Sequence, residues 1–326
     1  MKKRFYIFAC LILSFSFCQS QARETVLEKG HFLELQKELE LSGGRIHKGK
    51  VLVVSDEQDE TYVFEVKKNG KVKPYLDLHK VEGFEQYLKT TRHDRLDLEG
   101  LDFCEDTLYL ANERARDVLV VKDNKLSSIS IQDQDLKPWN QNLGKIGKND
   151  GFEGIAVDCE NQILYVAKER GPRFIVEYDL QKQKVIDVFD LPGTERQGRK
   201  GAHPSGKGEI EISPDFADLF FKDGYLYALE RNSAEIAKVH PKTKEVVERY
   251  TYPKYFRLYD VVSDAGVVEP FGLAEGLVVT DHEFWIFYDN NGGKLNEKGK
   301  ALGLHKNKKK TPSGKEALIL KLSYSN

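Results

Sequence analysis

The stretch Leu98-Glu99-Gly100-Leu101, followed by Leu108-Tyr109-Leu110-Ala111-Asn112-Glu113-Arg114, returns further on as Phe152-Glu153-Gly154-Ile155 and Leu164-Tyr165-Val166-Ala167-Lys168-Glu169-Arg170. The two copies share an acid-glycine opener, a hydrophobic run about a dozen residues later and an acid that closes the run. A third copy runs from Ala274-Glu275-Gly276-Leu277 to Phe284-Trp285-Ile286-Phe287-Tyr288-Asp289. A fourth, from Asp215-Phe216-Ala217-Asp218 to Leu226-Tyr227-Ala228-Leu229-Glu230-Arg231, has a degenerate opener. Near the start, Leu41-Ser42-Gly43-Gly44 leads to Val51-Leu52-Val53-Val54-Ser55-Asp56-Glu57, with serine where the others carry glutamate.

Within each unit the runs are short, rich in Val, Ile, Tyr, Phe and Leu, and separated by turn pairs such as Glu105-Asp106, Glu160-Asn161 and Asp223-Gly224, a strand and hairpin pattern. The unit opening at Glu153 reads as strands over 154–158, 163–167, 174–180 and 184–191, and four strands per repeat is the signature of a propeller blade. The expectation is an all-β β-propeller of four-stranded blades, five in number with six left open. The last unit is one outer strand short, and the stretch His31–Glu40 is expected to supply it, so that pairing of N- and C-terminal strands closes the ring and removes exposed edges.

The chain of 326 residues carries a net charge of −2 with 31% charged residues, which gives no basic excess to draw nucleic acid. Met1-Lys2-Lys3-Arg4, an apolar stretch from Phe5 to Phe17 and a small-residue site at Ala22 have the layout of a secretory signal over residues 1–22. Cys18 sits where a lipoprotein cysteine would, although Phe17 is bulky for that role. Either reading places residues 23–326, a single propeller domain, outside the cytoplasm: periplasmic, secreted or lipid-anchored. No later segment is apolar enough to span a membrane. Cys104 and Cys159 fall at matching places in neighbouring repeats. They could pair in an oxidising compartment, yet matching positions of adjacent units are expected to stand too far apart for a disulfide.

In an antiparallel hairpin the start of the first strand and the end of the second share one end. Openers and closers therefore share a face of the disc, with Glu99, Glu153 and Glu275 around the axis and Asp56, Glu113, Glu169, Glu230 and Asp289 just outside. Crowded carboxylates raise one another's pKa or demand a cation. A ring of hard oxygen ligands suits Ca²⁺, which takes about six to eight oxygens; no histidine recurs in phase to suit a transition metal. The alternative is that the acids bond backbone amides or pair with Arg114, Arg170 and Arg231, which follow three of the closers. Two basic loops, 193–212 with Arg196, Arg199, Lys200, His203 and Lys207, and 290–315 with Lys306 and Lys308–Lys310, are expected either to be solvated or to draw an anionic ligand to the mouth.

Other motifs fail. Residues 201–207 match the spacing of a phosphate-binding loop, but Gly208 stands where Ser or Thr is required. No Gly-x-Ser-x-Gly elbow is present. Asp289-Asn290-Asn291-Gly292-Gly293 lacks the spacing of a calcium loop and reads as a turn, with Asp289 and Asn290 as ligands by position only.

Glu40-Leu41-Ser42-Gly43, Asp97-Leu98-Glu99-Gly100-Leu101, Gly151-Phe152-Glu153-Gly154-Ile155-Ala156, Tyr227-Ala228-Leu229-Glu230-Arg231 and Ala274-Glu275-Gly276, in that order, resemble the phytase-like esterase family and the related SdiA-regulated propellers. The resemblance runs from about Leu35 to Leu322 and implies a secreted propeller with calcium sites; Phe216-Ala217-Asp218 departs from it. Two functions follow. One is a calcium-dependent hydrolase of phosphate or carboxylic esters acting on an anionic small molecule, with Glu153 or Glu99 as ligand or general base and Arg170 or Arg231 stabilising the anion. The other is a non-catalytic surface propeller that binds a protein or glycan.

Overall fold

The computed structural model describes residues 22–33, 39–56, 61–91, 96–144, 151–192, 199–303 and 317–324. Residues 1–21 of the signal stretch, Cys18 among them, and Arg196, Lys306 and Lys308–Lys310 lie outside them. Two short N-terminal strands come first, β1 (Arg23–Glu24) and β2 (Val26–Phe32). Blade 1 is β3 (Leu41–His47), β4 (Lys50–Ser55), β5 (Tyr62–Val66) and β6 (Val72–Asp77). Blade 2 is β7 (Leu98–Cys104), β8 (Thr107–Asn112), β9 (Asp117–Lys122) and β10 (Lys125–Ser130). Blade 3 is β11 (Phe152–Asp158), β12 (Ile163–Lys168), β13 (Phe174–Asp179) and β14 (Lys184–Phe189).

A hairpin of β15 (Arg199–Ala202) and β16 (Glu209–Ile212) precedes blade 4. That blade is β17 (Asp218–Lys222), β18 (Tyr225–Glu230), β19 (Glu235–His240) and β20 (Glu245–Thr251). After β21 (Tyr259–Asp260), blade 5 takes β22 (Ala274–Val279) and β23 (Glu283–Tyr288), then, past β24 (Lys294–Leu295), β25 (Leu318–Ser323). The five blades are a β-propeller, as the repeats predict. Its closing strand is β2, which pairs with β25 from Val26↔Ser323 to Phe32↔Leu318. The outer strand of blade 5 thus starts upstream of the expected His31–Glu40 and shares only His31 and Phe32 with it, while residues 34–38 of that stretch lie outside the described residues. β1 lies parallel on β20, so the N-terminal segment touches blades 4 and 5 in turn.

Burial follows distance from the axis. Every residue of β11 is buried, whereas β10 on the rim is largely exposed, because inner strands are covered by neighbouring blades on both faces. Two-residue turns with left-handed φ close three hairpins, at Lys48-Gly49, Asp123-Asn124 and Asp223-Gly224, the geometry that matches strand twist. Residues 201–207 form the end of the β15–β16 hairpin and not a phosphate loop.

Near the axis the inner strands pack backbone on backbone. A Cβ on Gly100 would stand 2.6 Å from the Glu153 carbonyl oxygen, and one on Gly154 would stand 2.4 Å from Cα of Asp218. The glycine after each opener is therefore required by close approach. The same closeness corrects the expectation for the cysteines. Cys104 and Cys159 end neighbouring inner strands with Cα atoms 5.4 Å apart and form a disulfide.

Below the mouth the axis is filled by Arg45, 2% exposed. Its Nη1 donates to the carbonyls of Gly44 (2.7 Å) and Leu277 (2.9 Å) and to Asp218 Oδ2 (3.1 Å). Its Nη2 donates to the carbonyls of Ile155 and Leu219, and its Nε stands 3.2 Å from Asp102 Oδ1. One guanidinium thus reaches all five blades.

Candidate active site at the acidic mouth

Each Glu-Gly opener sits in a β-bulge: the register shifts between Leu98 and Gly100, between Phe152 and Ile155, and between Ala274 and Gly276. A bulge re-aims a side chain, and here it brings Glu99, Glu153 and Glu275, all buried, to the mouth. The closers are set by a repeated bond. Asp56, Glu113, Glu169 and Asp289 each donate a backbone N–H to the carbonyl of the residue two before the opener, namely Glu40 (3.2 Å), Asp97 (2.9 Å), Gly151 (3.2 Å) and Leu273 (3.1 Å).

Blade 4 breaks the series. Pairing of the second strand with the third aligns Glu230↔Glu235 with Asn112↔Asp117 and Lys168↔Phe174. Glu230 therefore occupies the place of Asn112 and Lys168, and Arg231 takes that of Glu113 and Glu169. The cause is one residue fewer between Leu226-Tyr227 and the acid, and a one-residue slip along a strand exchanges its faces. Glu230, expected at the ring, instead lies between Arg173 Nη1 (2.7 Å) and Arg249, an inter-blade ion pair away from the mouth. At the opener, Ala217 stands where the others have glutamate, and Asp218 stands in the place of the glycine, turned to Arg45.

Arg231 enters the ring of acids. Its Nε donates to Asp215 Oδ2 (2.7 Å), Nη1 to Glu275 and Nη2 to Glu169, with Glu153 at 4.0 Å. Burial works against its charge, but Glu275 and Glu153 outweigh that and hold it firmly protonated. The remaining acids are less well compensated. Arg114 Nε donates to Asp97 Oδ2 (2.7 Å), and Gly151 N–H donates to Glu113 Oε1 (3.0 Å). Burial, then Asp289 and Glu40, push Asp56 up to about 10. Burial and Glu153 with Asp56 push Glu99 far above the carboxylate range, and burial likewise raises Glu153 and Asp289.

Two trios bring carboxylate oxygens within 4.8 Å of one another: Asp97, Glu99 and Glu113, and Glu113, Glu153 and Glu169. Glu113 is common to both. Glu169 is wholly buried, and its Oε2 accepts no hydrogen bond among the described residues. An all-oxygen donor set with an orphaned internal oxygen fits a hard divalent cation. Asp56, Asp289 and Glu275 border these trios and belong to neither. Asn290 and Asp289 each accept a backbone N–H two residues on, from Gly292 and Asn291, so that stretch is the expected turn.

Beside the carboxylates opens a cleft of about 410 Å³ lined by Arg170, Arg231, Arg257, Glu275, Asn232 and Tyr259. Ile210 and Glu211 of the β15–β16 hairpin, at the end of the 193–212 stretch, form one wall, and Arg199, Lys200, His203 and Lys207 of that stretch do not line it. Arg170 is the most open of the three arginines, with 41% of its side chain exposed. Three site residues were not singled out from the sequence. Asp97 and Asp215, like Glu40, lie two residues before an opener, a third acidic position in the repeat; Arg257 lies outside the repeat and carries no such signal.

Residues 86–246, just under half of the chain, match the family model described as SdiA-regulated. Among solved structures, the glutaminyl cyclase of Myxococcus xanthus aligns over 94% of this chain and 100% of its own, with TM-score 0.50 and 12% identity. A luciferin-regenerating enzyme aligns over 90% and 80% at TM-score 0.46 and 10% identity. At 12% identity the first likeness is one of fold alone. The chain is therefore a five-bladed β-propeller whose blades 2 to 4 are similar to the SdiA-regulated proteins.

Proposed function

We propose that the mouth is the active site of a calcium-dependent, phytase-like esterase acting on an anionic phosphate or carboxylic ester, in a protein held outside the cytoplasm. The observation that carries this reading is the junction of opposites: a carboxylate trio with an orphaned buried oxygen beside a cleft walled by three guanidiniums. Glu113, Glu153 and Glu169 would hold the ion, since Glu169, whose buried Oε2 accepts no hydrogen bond among the described residues, belongs to that trio. When bound, calcium supplies positive charge that polarises an ester oxygen. Arg170 and Arg257 seat the anionic group, because a guanidinium fork matches phosphate and carboxylate oxygens. Arg231, tied to Glu275, Glu169 and Asp215, keeps the boundary between cation and anion subsites fixed. Glu99, whose proton is held by burial and then by Glu153 and Asp56, would first give that proton to solvent when the charge nearby is neutralised and would then accept one from water.

A test measures bound metal, thermal melting and hydrolysis of p-nitrophenyl phosphate, phytate and p-nitrophenyl acetate, with and without chelator. The reading requires calcium-dependent turnover of at least one substrate, lost in Glu113→Gln. Absence of turnover on all three sinks the esterase, and melting and metal content indifferent to chelator sink the calcium.

Arg231 favours a second reading, in which the acids are already served by guanidiniums and the mouth is a non-catalytic binding surface. Bound calcium without turnover would support it.

A further inference from the structure

Away from the acidic mouth, blades 5 and 1 part to leave a groove of about 460 Å³. Its blade 5 wall is set by register: Trp285 pairs with Lys321, and Lys321 pairs with Lys29, so the three stand side by side across β23, β25 and β2. Lys50, Val51, Val66 and Lys67 of blade 1 face them. The acids Asp56 and Asp289 cap the other ends of β4 and β23, which places the groove toward the opposite face of the disc.

The groove concentrates one sign of charge. Lys29, Lys50, Lys67, Lys68 and Lys321 line it against one lining acid, Glu65, which already meets Lys67 at 2.5 Å, and His31 stands among them with its charged form disfavoured by burial. Lys321 lies with its Nζ 3.3 Å from the centre of the Trp285 ring. Burial lowers the pKa of Lys321, Glu283, which accepts the Trp285 Nε1–H at 2.8 Å, partly offsets this, and Lys29 adds a smaller lowering; burial, Lys29 and Lys321 lower that of His31. Between the ammonium groups the floor is apolar: Leu33, Val51, Val66, Ile319 and the indole. A concave apolar surface with a few convergent charges is the form of a small-molecule site, and an excess of like charge, five lysines against Glu65 and Glu283, is relieved by an anion.

We propose that this groove binds an amphipathic organic anion, its phosphate or carboxylate head between Lys29 and Lys321 and its short apolar body along Trp285, Val51 and Ile319. The site is separate from the mouth and does not depend on the activity assigned there. Phosphate and carboxylate share the chemistry that ammonium groups recognise; the apolar floor excludes a fully hydrated ion as the whole ligand.

The chain has 2 tryptophans, so Trp139→Phe leaves Trp285 as the only indole reporter. In that variant, octyl phosphate and octanoate are titrated separately below their micellar concentrations, with calorimetry on the unmodified protein as a second readout. Saturable binding of at least one is expected, weakened by added salt and about tenfold by Lys29→Gln with Lys321→Gln. Inorganic phosphate and octanol should each bind at least about tenfold more weakly than the better probe. Circular dichroism confirms that the variants fold. No saturable binding of either probe overturns the proposal, as does equal binding by the double variant. Inorganic phosphate binding as tightly as octyl phosphate also overturns it. Binding to phosphatidylglycerol vesicles without binding to either monomeric probe does so too, since that is surface charge and not a groove.

Discussion

Arg45 of blade 1 and Asp218 of blade 4 form an ion pair across the propeller axis, Nη1 to Oδ2 3.1 Å, with 3% and 0% of their side chains exposed. Removing one partner of such a pair leaves an uncompensated buried charge, at a cost of about 3–5 kcal/mol. Arg45→Ala also strips the donor from carbonyls of several blades. Urea denaturation of Arg45→Ala should show a loss of at least about 3 kcal/mol, and Asp218→Ala in the Arg45→Ala background should cost less than it does alone. Additive losses would mean that the pair does not couple the blades.

Arg231 neutralises three carboxylates that otherwise face one another. Arg231→Met should destabilise the protein by about 3 kcal/mol in chelator, and calcium should restore part of that loss, because Glu275 and Asp215, with Glu169 still held by Arg170 at 2.8 Å, lose their guanidinium and become available to the ion. Melting curves with calcium and with chelator check this. An identical loss in both would show that Arg231 and the cation do not share ligands.

Asp117 accepts hydrogen bonds from Tyr87 Oη at 3.0 and 2.9 Å, yet burial pushes its pKa up to about 6. The folded protein therefore binds a proton there more tightly than the unfolded chain does. This contribution to stability is present at low pH and is lost as pH rises from about 4 to about 6, by up to about 3 kcal/mol. Asp117→Asn should flatten that part of the stability profile measured by denaturation across pH; an unchanged slope would show that other groups set it.

The Cys104–Cys159 disulfide closes a loop with a sequence separation of 55. Replacing both cysteines by serine should lower stability by about 2–4 kcal/mol, the typical range for a disulfide, toward its upper end for a loop this long. Reductant should shift the melting of the parent protein toward that of the double variant and leave the variant unmoved.

The blades were legible because their signal is repeated: alternating apolar residues, turn pairs and the Glu-Gly opener recur in phase. The position of the closers was legible for the same reason, and it failed at Glu230 because Leu226-Tyr227-Ala228-Leu229-Glu230-Arg231 is one residue shorter than its counterparts. Counting from the Leu-Tyr pair, and not from the acid, would have put Arg231 at the mouth. The disulfide was underrated because inner strands converge on the axis more closely than the spacing of whole blades suggests. Arg45 was invisible for a different reason. Its partners are backbone carbonyls of four blades and carboxylates of two, a convergence that exists only once the ring has closed.

The N-terminal segment runs first along blade 4 as β1 and then completes blade 5 as β2. Tension arriving from the N-terminal side would therefore meet the two residues of β1 before reaching the longer register of β2. The shorter pairing would then be expected to part first, leaving the β2–β25 seam that closes the ring intact.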